Sequence, residues 1–285
     1  MPPPDRFLLA GVMGWPVMHS RSPMLHNHWF RQHNLAGSYV PLAIAPEGLA
    51  AALRALHPLG FAGVNLTIPH KQQALAIVDE VDTVARRIGA ISCVVVRPDA
   101  SLAGTNNDCW GFIENLRQEQ PAFRADRGPI LVIGAGGGSR AVCYGLAQEG
   151  AREIRLVNRT FARAKGIADE FGAPITAVPW EQRAEALEGA SMVVNATSLG
   201  MVGQPALEIS LDQLPASAIA ADIIYIPLET PFLAAARRRG NRTVNGLGML
   251  LNQARPAWKA WFGLEPEVTA ELRRMIEGTI GTSQV

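Results

Sequence analysis

The sequence predicts an α/β protein in two parts, on three observations. Apolar runs of strand length alternate with helical stretches along the chain, one polar, proline-containing stretch (QEQPAFRADRGP) interrupts the alternation, and the run that follows it ends in glycines. With 285 residues, 48% hydrophobic and 18% charged, the chain can bury one sizeable core or two, and a disordered chain is excluded.

The elements follow in order. FLLAGVMG, SYVPLAI, GVNLTI and CVVV form a first series of strands, and ILVIG, IRLVN, MVVNA and AADIIYI a second. Helical stretches between them make βαβ units and a parallel or mostly parallel sheet. The first series gives way around Asn106 to Gly111, a helix covers about Cys109 to Glu119, and the second series opens at Ile130. No fixed-period repeat or low-complexity tract is present.

Charge narrows the partners. Lys+Arg 26 against Asp+Glu 25 leaves a formal net charge of +1, without the cationic excess that nucleic acid or an acidic membrane calls for. A small-molecule partner is expected. Cys93, Cys109 and Cys143 are an odd set without metal-site spacing, which predicts free thiols in a reducing cytoplasm. The opening MPPPDRFLLAGVMG lacks the basic and long apolar regions of a signal peptide, and no apolar run approaches the ~20 residues that span a bilayer. Six histidines crowd the first quarter of the chain, yet His26 and His28 would face different ways on a helix, and His26 with His33 lacks a third ligand; no metal is expected.

The strongest motif is ILVIGAGGGSRAVCYGLAQEG, a buried strand, a glycine turn and an amphipathic helix. In the segment Gly134, Ala135, Gly136, Gly137, Gly138, Ser139 the glycines allow a tight turn and close backbone approach to a pyrophosphate at the positive end of the helix. Ser139 stands where a third Gly or Ala is usual, small enough for helix and strand to pack. The context predicts a Rossmann-like dinucleotide domain. The next strand ends at Asn158, where an NAD site carries an acid for the ribose hydroxyl; Arg159, Thr160 and Arg163 follow instead, and guanidinium groups suit a 2′-phosphate. NADP is expected rather than NAD.

Three segments of the first part carry chemistry. In HSRSPM, Ser22 then Pro23 reads as a helix start with Ser22 at the N-cap; that does not account for Ser20, and two hydroxyls beside open N–H groups would make a carboxylate site. In NLTIPHK, Lys71 falls in the first turn of a proline-initiated helix, where the macrodipole disfavours an ammonium and eases proton transfer; it is equally readable as a surface lysine. In GTNND, Asp108 is a carboxylate at the junction between the two parts, or simply an N-cap.

Taken together, GWPVMHSRSP, NLTIPHK, Gly104 to Phe112, GAGGGSR, NRTFARA, NATSLGM, DIIYIPLETP and NGLGMLLNQ resemble the shikimate dehydrogenase family in order over nearly the whole chain. The resemblance implies a substrate domain built from both chain ends, residues 1–107 and 247–285, with a Rossmann-like NADP domain, 108–246, inserted between. It implies that Ser20 and Ser22 bind the shikimate carboxylate, that Thr67, Lys71, Asp108 and Gln253 surround the ring hydroxyls, and that Lys71 and Asp108 are the catalytic pair. Tyr225 would lie near the substrate, Ile223 and Gly246 near the nicotinamide, and Thr197 of NATSLGM in the cofactor site. A monomer or homodimer is expected.

Two departures stand out. The family's G-A-x-N-T reads Gly89-Ala90-Ile91-Ser92-Cys93 here, and its N-T-D reads Asn106-Asn107-Asp108. In a reshaped substrate pocket, Asn107 is expected to supply in part the amide that Ser92 does not offer to the ring hydroxyls. Pro256, within the C-terminal helix, should bend it or displace its first turn. The leading expectation is an NADP-dependent shikimate dehydrogenase; a relative acting on quinate or an aminoshikimate, and a nucleotide-binding sensor, are the rivals.

Overall fold

A computed structural model describes residues 7–281. It divides into two compact units, one formed by the chain up to Asn107 together with Leu251–Thr279, the other by Asp108–Leu250 and the residues from Ile280.

The first unit contains β1 (Leu8–Gly14), α1 (Ser22–Gln32), β2 (Gly37–Ala43), α2 (Leu49–Ala55), β3 (Phe61–Leu66), α3 (His70–Gln73), β4 (Glu80–Val81), α4 (Thr83–Ile88), β5 (Cys93–Val96) and β6 (Leu102–Thr105). Its sheet runs β2-β1-β3-β5-β6-β4. The β1 pairings to β2 and β3 are parallel, but β5 is antiparallel to both β3 and β6, so the sheet is mixed. For β5 and β6 the cause is local: Arg97 N–H bonds Ser101 O and Asp99 accepts from Ser101 N–H, a tight reversal that leaves no room for a crossover helix. Reversing β5 carries Ser92, just before its start, to the sheet edge at which β1, β3 and β6 end.

One face of this sheet packs on Leu49 and Leu53 of α2 and Leu56 just after it, with Met13, Val64, Leu66 and Val94. The other face is aromatic. His26 stacks on Tyr39 at 4.0 Å, and Trp29, Trp258 and Trp261 surround it. Trp258 and Trp261 come from α9 (Leu247–Phe262). Gly63 makes a seat for Trp261: a Cβ there would lie 2.1 Å from Val94 O and 2.2 Å from the Trp261 indole nitrogen, which donates to Val94 O at 3.0 Å. Pro256 lies inside α9, whose first turn begins at Leu247; the helix is not displaced as its sequence suggested. Losing one N–H is tolerated in a helix buried by aromatic packing.

The second unit contains α5 (Asp108–Glu119), β7 (Ile130–Ile133), α6 (Gly137–Gln148), β8 (Ile154–Val157), α7 (Phe161–Phe171), β9 (Ile175–Val178), β10 (Met192–Asn195), β11 (Ile219–Asp222), α8 (Pro231–Arg238) and β12 (Arg242–Val244); α10 (Ala270–Gly281) follows α9 in the chain. All five strand pairings are parallel, in the order β12-β11-β10-β7-β8-β9. Side chains alternate between two covered faces: Ile130, Val132, Met192 and Val194 face the core of α5, α6 and α7, whereas Leu131, Ile133 and Val193 face that of α8. Chain direction across the sheet reverses between β7 and β10, the switch point at which open α/β sheets bind ligands beyond the strand ends.

Candidate active site

In the second unit the glycine turn lies at the switch point. Gly134 has φ +116°, and a Cβ on it would stand 2.8 Å from Ala196 O and 2.9 Å from Thr197 Cγ2, so only glycine lets β7 turn against the loop that leaves β10. Gly136 precedes the first residue of α6, and open space surrounds the position its Cβ would fill. Ala135 and Gly136 lead into the twelve-residue α6, whose first two residues are Gly137 and Gly138, and all four are half-buried. A bare cradle at such a helix start fits a pyrophosphate. Ser139 does more than stay small: its Oγ accepts from Gly136 N–H at 3.4 Å and donates to Ala196 O at 3.2 Å, tying the turn to the β10 loop.

Beyond β8, Asn158 Nδ2 donates to Thr160 O at 2.9 Å and shapes the bend before α7. Arg159, Thr160 and Arg163 are exposed, and neither guanidinium is ion-paired among the described residues. Two unpaired cations at a helix start are open to an anion.

Thr197, Ile223 and Gly246 converge on the same end of the sheet. Thr197 Oγ1 donates to Asn195 Oδ1 at 2.7 Å, Ile223 N–H bonds Asn195 O at 3.1 Å, and a Cβ on Gly246 would lie 2.1 Å from Ile223 O. A residue pair that the sequence reading passed over sits beneath them. Asn195 Nδ2 donates to Asp222 Oδ2 at 3.1 Å, Thr230 Oγ1 to the same oxygen at 2.8 Å, and Ile224 N–H to Asp222 Oδ1 at 2.9 Å. No cation among the described residues pairs with it, so burial pushes the Asp222 carboxyl up to about 6 despite these bonds. The visible signal was a polar residue closing each of two buried apolar strands. Tyr225 follows, half-buried.

In the first unit, Ser20 and Ser22 meet, and Ser22 is not the N-cap that its sequence suggested. Helix α1 begins at Ser22, after Arg21 at the cap, and Ser22 caps nothing with its side chain. Ser20 Oγ accepts the Ser22 N–H at 3.2 Å, which releases the buried Ser22 hydroxyl to lie against the Tyr39 phenol. Tyr39 Oη in turn donates to Asn65 Oδ1 at 2.8 Å.

Thr67 and Lys71 lie beyond β3. Gly14 makes room for Thr67, whose Cγ2 would stand 2.4 Å from a Cβ there. The helix carrying Lys71 has only four residues, His70–Gln73, too few for the macrodipole its sequence implied. Position comes from anchors instead. Buried His70 shares a 2.8 Å hydrogen bond with Ile44 O through Nε2, Gln73 Nε2 donates to Pro46 O at 3.0 Å, and Lys71 O accepts Ile91 N–H at 2.7 Å.

Ser92 and Asn107 are also brought together. Ser92 is 1% exposed, and its Oγ accepts the Asn107 backbone N–H at 2.8 Å. The Asn107 side chain makes no hydrogen bond among the described residues, so its amide is available. Gln253 is 9% exposed on α9, and Asp108, 4% exposed, is the first residue of α5 rather than the residue before it. Among the described residues no three His, Cys, Asp or Glu side chains group as metal ligands, and no helix is long and apolar enough to cross a membrane.

Comparison with known proteins agrees with this architecture. Residues 12–94 match the family model described as shikimate dehydrogenase substrate binding domain, and residues 117–225 that described as shikimate / quinate 5-dehydrogenase. The shikimate dehydrogenase (NADP(+)) of Paramagnetospirillum magneticum is 52% identical over 94% of this chain and 97% of its own. Among solved structures, shikimate 5-dehydrogenase from Thermus thermophilus in complex with NADP(H) and shikimate is 36% identical, with TM-score 0.85 over 96% of this chain and 100% of that one. Quinate dehydrogenase from Corynebacterium glutamicum in complex with NAD is 29% identical, with TM-score 0.87 over 96% and 99%.

Proposed function

Because the chain belongs to the shikimate dehydrogenase family, we propose that it catalyses the reversible NADP-linked reduction of 3-dehydroshikimate to shikimate. The observation that carries the cofactor half is the glycine turn from Gly134 to Gly138 at the switch point, open at Gly136, with the unpaired Arg159 and Arg163 beyond the neighbouring strand. Ala135, Asn158 and Thr160 complete the adenosine side, and Thr197, Ile223 and Gly246 the nicotinamide side. Bound NADPH supplies the hydride. The arginines select the 2′-phosphate through charge-assisted hydrogen bonds, which a neutral ribose hydroxyl cannot match.

Ser20 and Ser22 take the substrate carboxylate. Lys71 gives its proton to the carbonyl oxygen as charge develops there, and in the oxidative direction removes the hydroxyl proton. Asp108 accepts a hydrogen bond from the adjacent ring hydroxyl and holds the reacting carbon in line, with Thr67, Tyr225 and Gln253 fixing the remaining hydroxyls. The enzyme acts in the cytoplasm on a free small molecule.

A second reading, a relative that prefers quinate or an aminoshikimate, is supported by one observation: Ser92 spends its hydroxyl on the Asn107 backbone, while the Asn107 amide has no hydrogen-bond partner among the described residues. A substrate panel of shikimate, quinate and aminoshikimate with NADP and NAD decides between them. The highest kcat/KM with shikimate and NADP is expected; a shikimate value far below that of another acid would sink the first reading.

A further inference from the structure

The buried carboxylate of Asp222 touches none of the atoms that would meet substrate or cofactor, yet every part of the proposed nicotinamide end is bonded to it within two steps. Asn195 has all its polar capacity engaged. Its Oδ1 accepts from Thr197 N–H at 3.1 Å and Thr197 Oγ1 at 2.7 Å, and its Nδ2 donates to Leu199 O at 2.9 Å and to Asp222 at 3.1 Å. Asp222 receives Ile224 N–H, and Ile224 O accepts Gly246 N–H at 2.9 Å. Thr230 closes the set: it donates to Asp222 and accepts Leu233 N–H at 3.3 Å as the N-cap of α8. The loops after β10 and β11, the start of α8 and the turn into α9 are therefore joined through one side chain.

We propose that Asp222 is a positioning residue for the cofactor site, clamping the Thr197, Ile223 and Gly246 loops into one arrangement through Asn195 and Thr230. The chemistry explains why a carboxylate stands there. Three donors converge on it, from an amide, a hydroxyl and a backbone N–H, and an ionised carboxylate is acceptor-only on both oxygens. An asparagine of the same shape must turn its own NH2 toward at least one of these donors. Burying an unpaired charge is costly, so its retention here has to be matched by what it organises. The Gly134 turn adds precision, because its packing against Ala196 O and Thr197 Cγ2 transmits any slip of the β10 loop to the pyrophosphate cradle.

This inference rests on the NADP reading of the second unit, and the experiment separates the two. NADPH is titrated by its own fluorescence into the wild-type chain and the Asp222→Asn, Thr230→Val and Thr230→Ser variants, with KM for NADP and for shikimate measured alongside. Asp222→Asn is expected to weaken NADPH binding by about tenfold, the scale of one missing charge-assisted hydrogen bond, with a clearly smaller rise in the shikimate KM, which reads the neighbouring Tyr225 alone. Thr230→Val shifts in the same direction by less, and Thr230→Ser, which keeps the hydroxyl, restores wild-type binding. A purely structural defect would lower the active fraction and leave both KM values where they were. Folded Asp222→Asn with wild-type NADPH affinity, or an equal rise in both KM values, overturns the clamp. If Asp222→Asn does not fold, equal affinities of the two Thr230 variants overturn it. Failure of the wild type to bind NADPH defeats the cofactor reading itself.

Discussion

The Ser92 hydroxyl accepts a 2.8 Å hydrogen bond from the Asn107 backbone N–H, joining the residue before β5 to the end of the segment that follows β6. Ser92→Ala leaves that N–H buried without its partner, a cost of about 1–3 kcal/mol. Chemical denaturation should show the midpoint falling at unchanged m-value. An unaltered midpoint would mean that the bond contributes nothing.

His70 places Lys71 by anchoring its one-turn helix to Ile44 O. His70→Ala is expected to leave NADPH affinity unchanged while kcat/KM for shikimate falls by about ten- to a hundredfold, the penalty for displacing a reacting group by roughly an ångström. His70→Gln, whose amide can donate to the same carbonyl, should recover part of it. Unchanged turnover in His70→Ala would show that Lys71 is held by other contacts.

Arg159 and Arg163 are exposed and carry no ion pair among the described residues, so their removal costs no fold stability. Arg159→Ala should raise the KM for NADP by about ten- to a hundredfold and leave that for NAD unchanged, as removal of a charge-assisted hydrogen bond dictates. Equal changes for both cofactors would place the 2′-phosphate elsewhere.

Two buried groups give the stability a pH dependence of opposite sign. Burial lowers His26 from 6.5 to about 3, and both its ring nitrogens lack partners, so its neutral form is favoured: stability is complete above pH 6.5 and lost as pH falls toward 3. Asp222 is raised from 3.8 to about 6, so its contribution is complete below pH 3.8 and lost as pH rises through 6, a difference of roughly 3 kcal/mol. His26→Phe, which keeps the ring stack, should melt closer to wild type at pH 8 and clearly above it at pH 5. Parallel melting curves across that range would contradict the assignment.

Gly63→Ala drives a methyl into Val94 O and the Trp261 indole. Overpacking of that kind costs about 1–3 kcal/mol. Thermal melting should fall accordingly while NADPH affinity stays constant.

Much of this was legible in the residues. The long apolar runs located β1, β2, β3, β5, β7, β8, β10 and β11, most plainly β7, β10 and β11, whose strands are buried on both faces and so carry almost no polar positions to disguise them. Strands β4, β6, β9 and β12 were not legible: they are only two to four residues long and carry Gly, Thr or charge, so pairing rather than composition makes them strands. The glycine turn was readable since its chemistry is contiguous. Asn195 and Asp222 were not: each is an ordinary polar residue ending a strand, and only the parallel register that sets them opposite one another makes a clamp. Ser22 was misplaced at the cap because Ser20, two residues earlier, performs that service.

The seat of Trp261 on Gly63 also sets a timetable for synthesis. Its indole bonds Val94, 167 residues earlier in the chain, and Trp29 bonds Glu267, 238 residues later. The aromatic half of the first unit therefore lacks Trp258, Trp261 and the Glu267 carbonyl until α9 and the segment after it have been made, whereas every strand of the parallel sheet lies within one uninterrupted stretch. The nascent chain should complete its nucleotide unit first and hold the residues before Asn107 incompletely packed until α9 emerges.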